Sequence, residues 1–324
     1  MKQPLVSIIT VNYNGVNLTL EFLHSLRQVT YPNFELIVVD NGSLEDPSPI
    51  IAAFPEVKLI KSKKNLGFAG GNNLGIAEAK GKYLLFLNND TEVVPAFIEP
   101  LVEVFENNPN AGVASPKILF FNSQDKKTIQ YAGSTGINPY TIRGETIGSF
   151  DIDQNQYAEV RETSLGHGAA MMVPMKVASE VGLIPDIYFL YYEEHDWVER
   201  IKMAGYKVYY VGTSTVYHKE SMTVGPNSAL RTYYMTRGRL LYTRRITKGI
   251  QRFSSLLFFV SFSFPKNFLT HLLKGEFRLL KAFLMGAFWH VNNHDIDKMP
   301  RLVVDKGEKP RVVNTSPHTP KKFA

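Results

Sequence analysis

The segment Phe189-Leu190-Tyr191-Tyr192-Glu193-Glu194-His195-Asp196-Trp197 sets three carboxylates and a histidine in consecutive positions behind an aromatic, apolar run. Carboxylates beside apolar surface are costly unless something binds them or uses them. A second acidic point, Asn88-Asn89-Asp90, closes the apolar run Leu84-Leu85-Phe86-Leu87. Together these residue types can supply a proton-accepting carboxylate and a carboxylate that holds a divalent cation against an anionic donor.

Glu194 shares a helical face with Trp197, Val198 and Ile201, so it is expected to point inward or toward a cleft. Glu193 and Asp196 flank it. Neighbouring like charges and partial burial are expected to raise the pKa of Glu194, as a general base requires. The plain alternative is a set of acids favouring the positive end of a helix dipole. Asp90 can ligate a hard cation and Asn88 can add an amide oxygen, or the cluster is simply a turn. His218 follows Thr215-Val216-Tyr217 and suits Mn²⁺ better than Mg²⁺, or is structural; His167 has the same ambiguity. Asp40, in Val38-Val39-Asp40-Asn41-Gly42-Ser43, can accept from a ribose hydroxyl or a base NH, or cap an Asx-turn. The run Asn65-Leu66-Gly67-Phe68-Ala69-Gly70-Gly71-Asn72-Asn73 resembles an anion cradle or a flexible loop. It has neither GxGxxG nor P-loop spacing.

The elements that must position these residues alternate. Val6–Val11 and Phe34–Val39 read as buried strands, Val57–Lys61 as a short third strand and Tyr83–Leu87 as a fourth. Leu18–Gln28, Asn72–Ala79 and Pro95–Asn107 read as helices. Apolar strands with intervening helices imply a mostly parallel sheet covered on both faces, with ligands beyond the carboxyl ends of its strands. Asp40 and Asp90 sit at such ends. Residues 123–162 predict irregular structure or short antiparallel strands. Lys176–Val181 and Glu194–Ala204 read as helices, and Tyr206–Val211 and Ser214–Tyr217 as strands. Basic and aromatic helices follow from about Gly225. Phe253–Phe264 is apolar but interrupted by Pro265-Lys266, which makes it too short to span a bilayer as one helix. The expected organisation is a catalytic unit over 1–225, a helical region over 226–304 and a disordered tail over 305–324.

With 324 residues, 44% of them hydrophobic and 20% charged, the composition is ordinary for a globular protein. The absence of cysteine excludes disulfides, thiolate metal sites and cysteine nucleophiles and fits a reducing compartment. Met1-Lys2-Gln3-Pro4 runs straight into a strand pattern, so no signal peptide is expected and the catalytic unit is expected in the cytosol. The net charge is +6. Arg231, Arg237, Arg239, Arg244, Arg245, Lys248 and Arg252 cluster, which suits nucleic acid, lipid headgroups or diphosphate. Arg237, Arg239, Arg244 and Arg245 with Leu256, Leu257, Phe258, Phe259, Phe262, Phe264 and Trp289 suit an interfacial helix. A dimer interface is the equal alternative.

Five segments in order resemble the family 2 glycosyltransferases of the GT-A fold: Val6–Asn14, Val38–Ser43, Asn65–Ala69, Leu87–Asp90 and Tyr192–Asp196. The resemblance runs from Val6 to about His218, and is greatest to the bacterial rhamnosyltransferase-like branch that builds cell-surface polysaccharide. It implies a Rossmann-like mixed sheet with flanking helices, followed here by a C-terminal helical appendage. It implies donor-nucleotide contacts from Thr10, Asn12, Tyr13, Asp40, Asn65, Gly67, Asn72, Asn88 and Asn89. It places Asp90 and His218 at a Mg²⁺ or Mn²⁺ site, with Asn88 in place of the first Asp of the family's metal motif. Glu194 takes the base position, where the family's pair has Asp, with Glu193 as the other candidate and Asp196 beside them. The implied reaction is inverting transfer, first from dTDP-rhamnose and next from a UDP-hexose, to a cell-surface glycan or lipid-linked acceptor. No nucleic-acid partner is expected. The implied location is the cytoplasmic face of the plasma membrane. Nucleotidyl transfer and a non-catalytic sugar-nucleotide scaffold are the competing readings.

Overall fold

Val6-Ser7-Ile8-Ile9-Thr10 carries apolar side chains on both faces of an extended chain, and such a strand has to be covered from both sides. A computed structural model describes residues 3–122, 126–219, 228–296, 300–303 and 311–313. Its elements run β1 (Val6–Asn12), α1 (Val16–Leu26), β2 (Phe34–Asp40), α2 (Ser48–Ala53), β3 (Lys58–Lys61), α3 (Gly67–Glu78), β4 (Tyr83–Leu87), β5 (Thr91–Val93) and α4 (Ile98–Asn107). They continue with β6 (Ala111–Phe120), β7 (Ile129–Tyr131), β8 (Val160–Thr163), β9 (Ala170–Pro174), α5 (Met175–Val181), α6 (Glu193–Met203) and β10 (Lys207–His218). The C-terminal part comprises α7 (Ala229–Ile246), α8 (Gly249–Phe258), α9 (Phe264–Leu273), α10 (Phe277–Phe288), β11 (Arg301–Val303) and β12 (Arg311–Val313).

One sheet has the order β3-β2-β1-β4-β9-β6-β10-β5, with β7 beside β6 and β8 beside β10. The first four strands in that order are parallel, whereas β9 and β5 run antiparallel to their neighbours. Period-two alternation divides the core. Ile8, Leu36, Val38 and Leu85 face one cluster, which α1 and α4 close with Phe22, Leu26, Leu101 and Phe105. Ile9, Ile37, Val39 and Phe86 face the other, closed by Ala69 and Ile76 of α3 and by Trp197, Val198 and Ile201 of α6. The alternating segments therefore fold as their apolar pattern predicts. Tyr206–Val211 and Ser214–Tyr217 form one strand, β10, whose pairing with β6 shifts register between Val211 and Thr215.

The glycine-rich run differs from expectation. It is not an open cradle: α3 already begins at Gly67. The Leu66 and Gly67 amides donate to the side-chain oxygens of Asn41 and Asn65, at 3.0 and 2.8 Å, and the Phe68 amide donates to the Phe189 carbonyl at 2.8 Å. These donors are therefore spent on the protein. Gly71 packs on Val11, whose methyl carbons would lie 3.0 Å from an added Cβ, and Gly75 packs more closely still on Ile9. The glycines let a helix approach the sheet.

The C-terminal region corrects three further expectations. Pro265 does not interrupt the helix: a π-helical turn, Phe259–Ser263, links α8 to α9, giving one apolar helix, Gly249–Leu273, of 25 residues. The wider turn accommodates the missing proline N–H and the clash of its ring with the preceding turn. The helix is long and apolar enough to cross a membrane by length and composition, and only 11% of its apolar window is buried. The arginine cluster is largely internal. Arg237 and Arg245 are buried; Arg237 donates to the carbonyls of Ile187 and Tyr188 and lies 4.3 Å over the Trp289 ring. Arg239 donates to Thr141 O at 2.7 Å, and Arg244 to Asn293 O at 2.8 Å. These guanidiniums fasten α7 to its neighbours, and Trp289 is committed to Arg237. Within the expected tail, Arg311–Val313 pairs antiparallel with Arg301–Val303, and Leu302 and Val312 pack against the core beside α3. The rest of that tail and the expected boundary at residue 225 lie outside the described residues.

Candidate active site

Asn12 ends β1 directly opposite Asp40 at the end of β2. Asn12 Nδ2 donates to Asp40 Oδ1 at 2.8 Å, Thr19 Oγ1 donates to Asn12 Oδ1 at 2.9 Å, and Asn89 Nδ2 donates to Thr19 Oγ1 at 3.0 Å. This relay ties β2, β1, α1 and the loop after β4 into one rigid edge. Asn12 is fully buried and Asn89 is turned to Thr19, so both orient the edge. Asp40 is almost covered, Tyr13 is exposed, and Thr10 is buried with no hydrogen-bond partner for Oγ1 among the described residues. Asn65 accepts from Gly67 and Asn41, and Asn72 donates to Phe68 O at 2.9 Å. Their amides, like Gly67, serve the start of α3.

Asp90 follows β4 and lies against β10. Its Oδ1 is buried without a hydrogen-bond partner among the described residues, yet it lies 3.1 Å from His218 Nε2. On the far side of the imidazole, Nδ1 lies 2.8 Å from Gln130 Oε1 on β7. With the Gln130 oxygen as acceptor, His218 carries its proton on Nδ1 and turns the Nε2 lone pair toward Asp90. An orphaned carboxylate oxygen beside a free imidazole nitrogen fits a divalent cation whose remaining ligands come from a diphosphate and water. No cluster of three or more His, Cys, Asp or Glu side chains that could hold a metal ion occurs among the described residues, so Asp90 and His218 form a pair and not a complete protein-ligand set. Asn88 is partly exposed next to this pair, and its backbone is held by Ala169 and Thr91.

The four residues that open α6 divide sharply. Asp196 is fully buried and saturated: Arg200 Nε and Arg245 Nε lie at 2.5 and 2.6 Å, and Tyr188 OH donates at 2.9 Å. Its role is to anchor α6 on α7. Glu193 is buried, and burial first, then the Glu194 charge, raises its pKa well above the ordinary 4.5. Glu194 behaves oppositely to expectation. Burial pushes its pKa up, but His195, whose Nδ1 lies 3.2 Å from Oε1, and the helix-start backbone outweigh it, so the net shift is downward. The two shifts are therefore opposed: Glu193 is pushed toward its neutral form and Glu194 toward its ionised form. Each keeps an Oε2 buried without a hydrogen-bond partner among the described residues.

Backbone strain positions this corner. Phe189, Tyr191 and Tyr192 hold φ values of 67°, 65° and 74°, a left-handed conformation unfavourable for aromatic residues. Gly238 makes the fit possible, since a Cβ there would lie 2.9 Å from the Tyr192 ring. The segment Gly166–Ala169 bridges the two halves of the site. His167 lies 6.2 Å from His218, ring to ring, and a Cβ at Gly168 would lie 3.7 Å from the Glu194 carboxyl. Burial, then His218, lowers the His167 pKa to about 3, so it stays neutral. A cleft of about 1040 Å³ opens against Tyr192 and His195, which flank the glutamate pair in sequence, and is walled further by residues of 134–139 and 141–146, Leu165 and Lys266.

Gln130 is not singled out by any sequence motif, while His195, Asn41 and Arg245 lie in segments that the sequence singles out but receive no role in the site there. His195 adjoins Glu194 in sequence and could have been found. Gln130 lies in a stretch without periodicity and carries no sequence signal.

The family model for glycosyl transferase family 2 matches residues 7–177. An uncharacterised glycosyltransferase of Rickettsia prowazekii is 28% identical over 190 residues, covering 56% of this chain and 54% of the relative. One from Rickettsia bellii is 36% identical over 110 residues, covering 33% of this chain and 16% of the relative. The chain thus spans between about a sixth and a half of these two relatives. Among solved structures, GalNAc-T7 with UDP, GalNAc and Mn²⁺ superposes with a TM-score of 0.61 at 16% identity, over 75% of this chain and 48% of that one. The mannosyltransferase PcManGT of Pyrobaculum calidifontis, with GDP-Man and Mn²⁺, gives 0.54 at 14% identity over 91% and 77%. These likenesses establish the GT-A architecture. Five ordered motifs, a mixed sheet with acidic residues at its strand ends and a family model covering more than half of the sequence agree: the chain belongs to glycosyl transferase family 2.

Proposed function

We propose that the chain transfers a sugar, with inversion, from a nucleoside-diphosphate donor to an acceptor hydroxyl. The observation that carries this reading is geometric: the Glu193–Glu194 pair at the start of α6 and the Asp90–His218 pair at the strand ends are joined by the segment that carries His167 and Gly168. Glu194 accepts the proton of the acceptor hydroxyl at its carboxylate. His195 holds Glu194 ionised, and Asp196 fixes the helix that carries it. Asp40, oriented by Asn12, is the nucleoside contact at the strand edge, with Thr10 and Tyr13 beside it. Asp90 and His218, with Asn88 adjacent, would hold Mg²⁺ or Mn²⁺; a bound divalent cation supplies neutralisation of charge on the leaving diphosphate. Mn²⁺ accompanies the nucleotide in the two solved relatives, which supports a cation here.

The finer assignment rests on the sequence resemblance: L-rhamnose from dTDP-rhamnose, with a UDP-hexose as the alternative, passed to a cell-surface glycan or lipid-linked acceptor at the cytoplasmic face of the membrane. Calorimetry with dTDP-rhamnose and UDP-glucose, with Mn²⁺ and with excess EDTA, tests the donor and the cation together. Specific binding that EDTA abolishes, weakened by Asp90→Asn, is the expected result. Equal affinity in EDTA removes the cation. Release of pyrophosphate instead of nucleoside diphosphate on turnover overturns glycosyl transfer in favour of nucleotidyl transfer.

A further inference from the structure

The helix Gly249–Leu273 has two unlike sides. One is a stripe of Ser255, Phe259 and Ser263, all buried against the body of the protein. At its centre Arg239 Nη1 donates to Ser263 Oγ at 3.1 Å, and the same guanidinium reaches Thr141 O. Phe259 packs with Leu240 and Phe283. The opposite side is apolar and bare: Ile250, Phe253, Leu257, Val260, Leu269 and Leu273 are all at least half exposed. Residues 248–291 include a single acid, Glu276, which is paired with His271 at 2.8 Å. Lys248, Lys266, Lys274, Arg278 and Lys281 are all exposed on this helix, at its two ends and on α10.

We propose that this helix lies flat in the interface of an anionic bilayer and does not cross it. Length and composition alone permit crossing, but the packing opposes it. A spanning pose would carry the charged Arg239 and the irregular backbone at Thr141 into hydrocarbon at mid-helix, where both are strongly unfavourable. A flat pose leaves them in water and buries only the bare face. The cations come from the exposed lysines and arginine of α8–α10 and their flanks, not from the internal cluster on α7. Apolar area and basic charge combine at an anionic surface, each exposed cation adding attraction that salt screens. A second copy of this chain would bring the same exposed cations, with a single acid among residues 248–291, against one another, which disfavours a dimer through this region. Lys266 also lines the cleft that contains Tyr192 and His195, so docking puts one wall of that cleft at the lipid surface. This inference extends the proposed transfer to acceptors held on a membrane, and therefore rests on that reading for its purpose but not for its test.

The test is flotation of the full chain with vesicles of phosphatidylcholine alone and of an equimolar mixture with phosphatidylglycerol. The expected result is flotation with the anionic vesicles, reduced by high salt and released by carbonate at high pH. Phe253→Asp with Leu257→Asp, and separately Lys248→Glu with Lys274→Glu, should each weaken binding by on the order of tenfold or more, with Tm unchanged because all four residues are exposed. Retention in the membrane after carbonate extraction overturns the flat pose in favour of crossing. Absence of flotation at low salt, or a concentration-independent dimer that protects this helix, overturns docking altogether. Donor binding measured on the same preparation is independent of both outcomes, so a failure of docking and a failure of glycosyl transfer are told apart.

Discussion

Arg245 Nε lies 2.6 Å from Asp196 Oδ2, and both side chains are fully buried. The contact joins the helix that carries Glu193 and Glu194 to the first helix of the C-terminal region. The two parts of the chain therefore share a charged, desolvated hinge point, and the carboxylates at the start of α6 depend on a residue some fifty positions downstream.

Arg245→Met is expected to destabilise the protein by about 3–5 kcal/mol, because it leaves Asp196 buried with only Arg200 and Tyr188 to compensate. Urea unfolding midpoints of the single and double variants measure it. Replacing Asp196 by Leu in the same chain should recover part of the loss. No recovery would show that Arg245 acts through packing alone.

Glu194→Gln is expected to lower kcat by about 10²–10⁴-fold while leaving calorimetric donor binding near wild type. Because its pKa is shifted down from the ordinary 4.5, the acid limb of kcat/KM should lie below that value. If Glu193→Gln lost turnover instead and Glu194→Gln kept it, the roles within the pair are reversed.

Glu193 links stability to pH with a defined sign. Below its ordinary value near 4.5, the carboxyl is neutral in both states. As pH rises past that value, the unfolded chain ionises while the native carboxyl does not, so stability falls until the native group ionises as well. Melting temperatures from pH 4 to pH 8 should therefore decline less steeply for Glu193→Gln than for wild type. Parallel curves would remove the assignment of a neutral Glu193.

Gln130→Leu removes the acceptor for His218 Nδ1–H without touching a metal ligand. Mn²⁺ affinity should fall by about 10–100-fold, as is usual when the partner of a ligating histidine is lost. With Mg²⁺ bound, nitrogen NMR of wild type should report the proton of His218 on Nδ1, and the variant should need more Mg²⁺ to reach that state. An Nε2–H tautomer in wild type would reverse the orientation assigned to the Gln130 amide.

The sequence by itself determined the alternation of strands and helices, because strands buried on both faces must be apolar throughout, and Ile8, Ile9, Val38 and Val39 display that locally. It also determined where Asp40 and Asp90 stand, since strand ends follow from strand limits. The family was legible from short motifs kept in order. Tertiary structure alone decided how the acids divide. Glu193, Glu194 and Asp196 are near-equivalent in sequence, but burial and, for Asp196, a partner 49 residues away in Arg245 divide them, and both depend on long-range packing. The arginines of α7 looked like a surface for anions because composition records charge and not direction; packing turns Arg237 and Arg245 inward. The same limit applies to Pro265, whose effect on the helix was set by a π-helical turn that no local propensity announces. Gln130 meets His218 from 88 residues away, and only the pairing of β7 with β6, itself paired with β10, brings those side chains together.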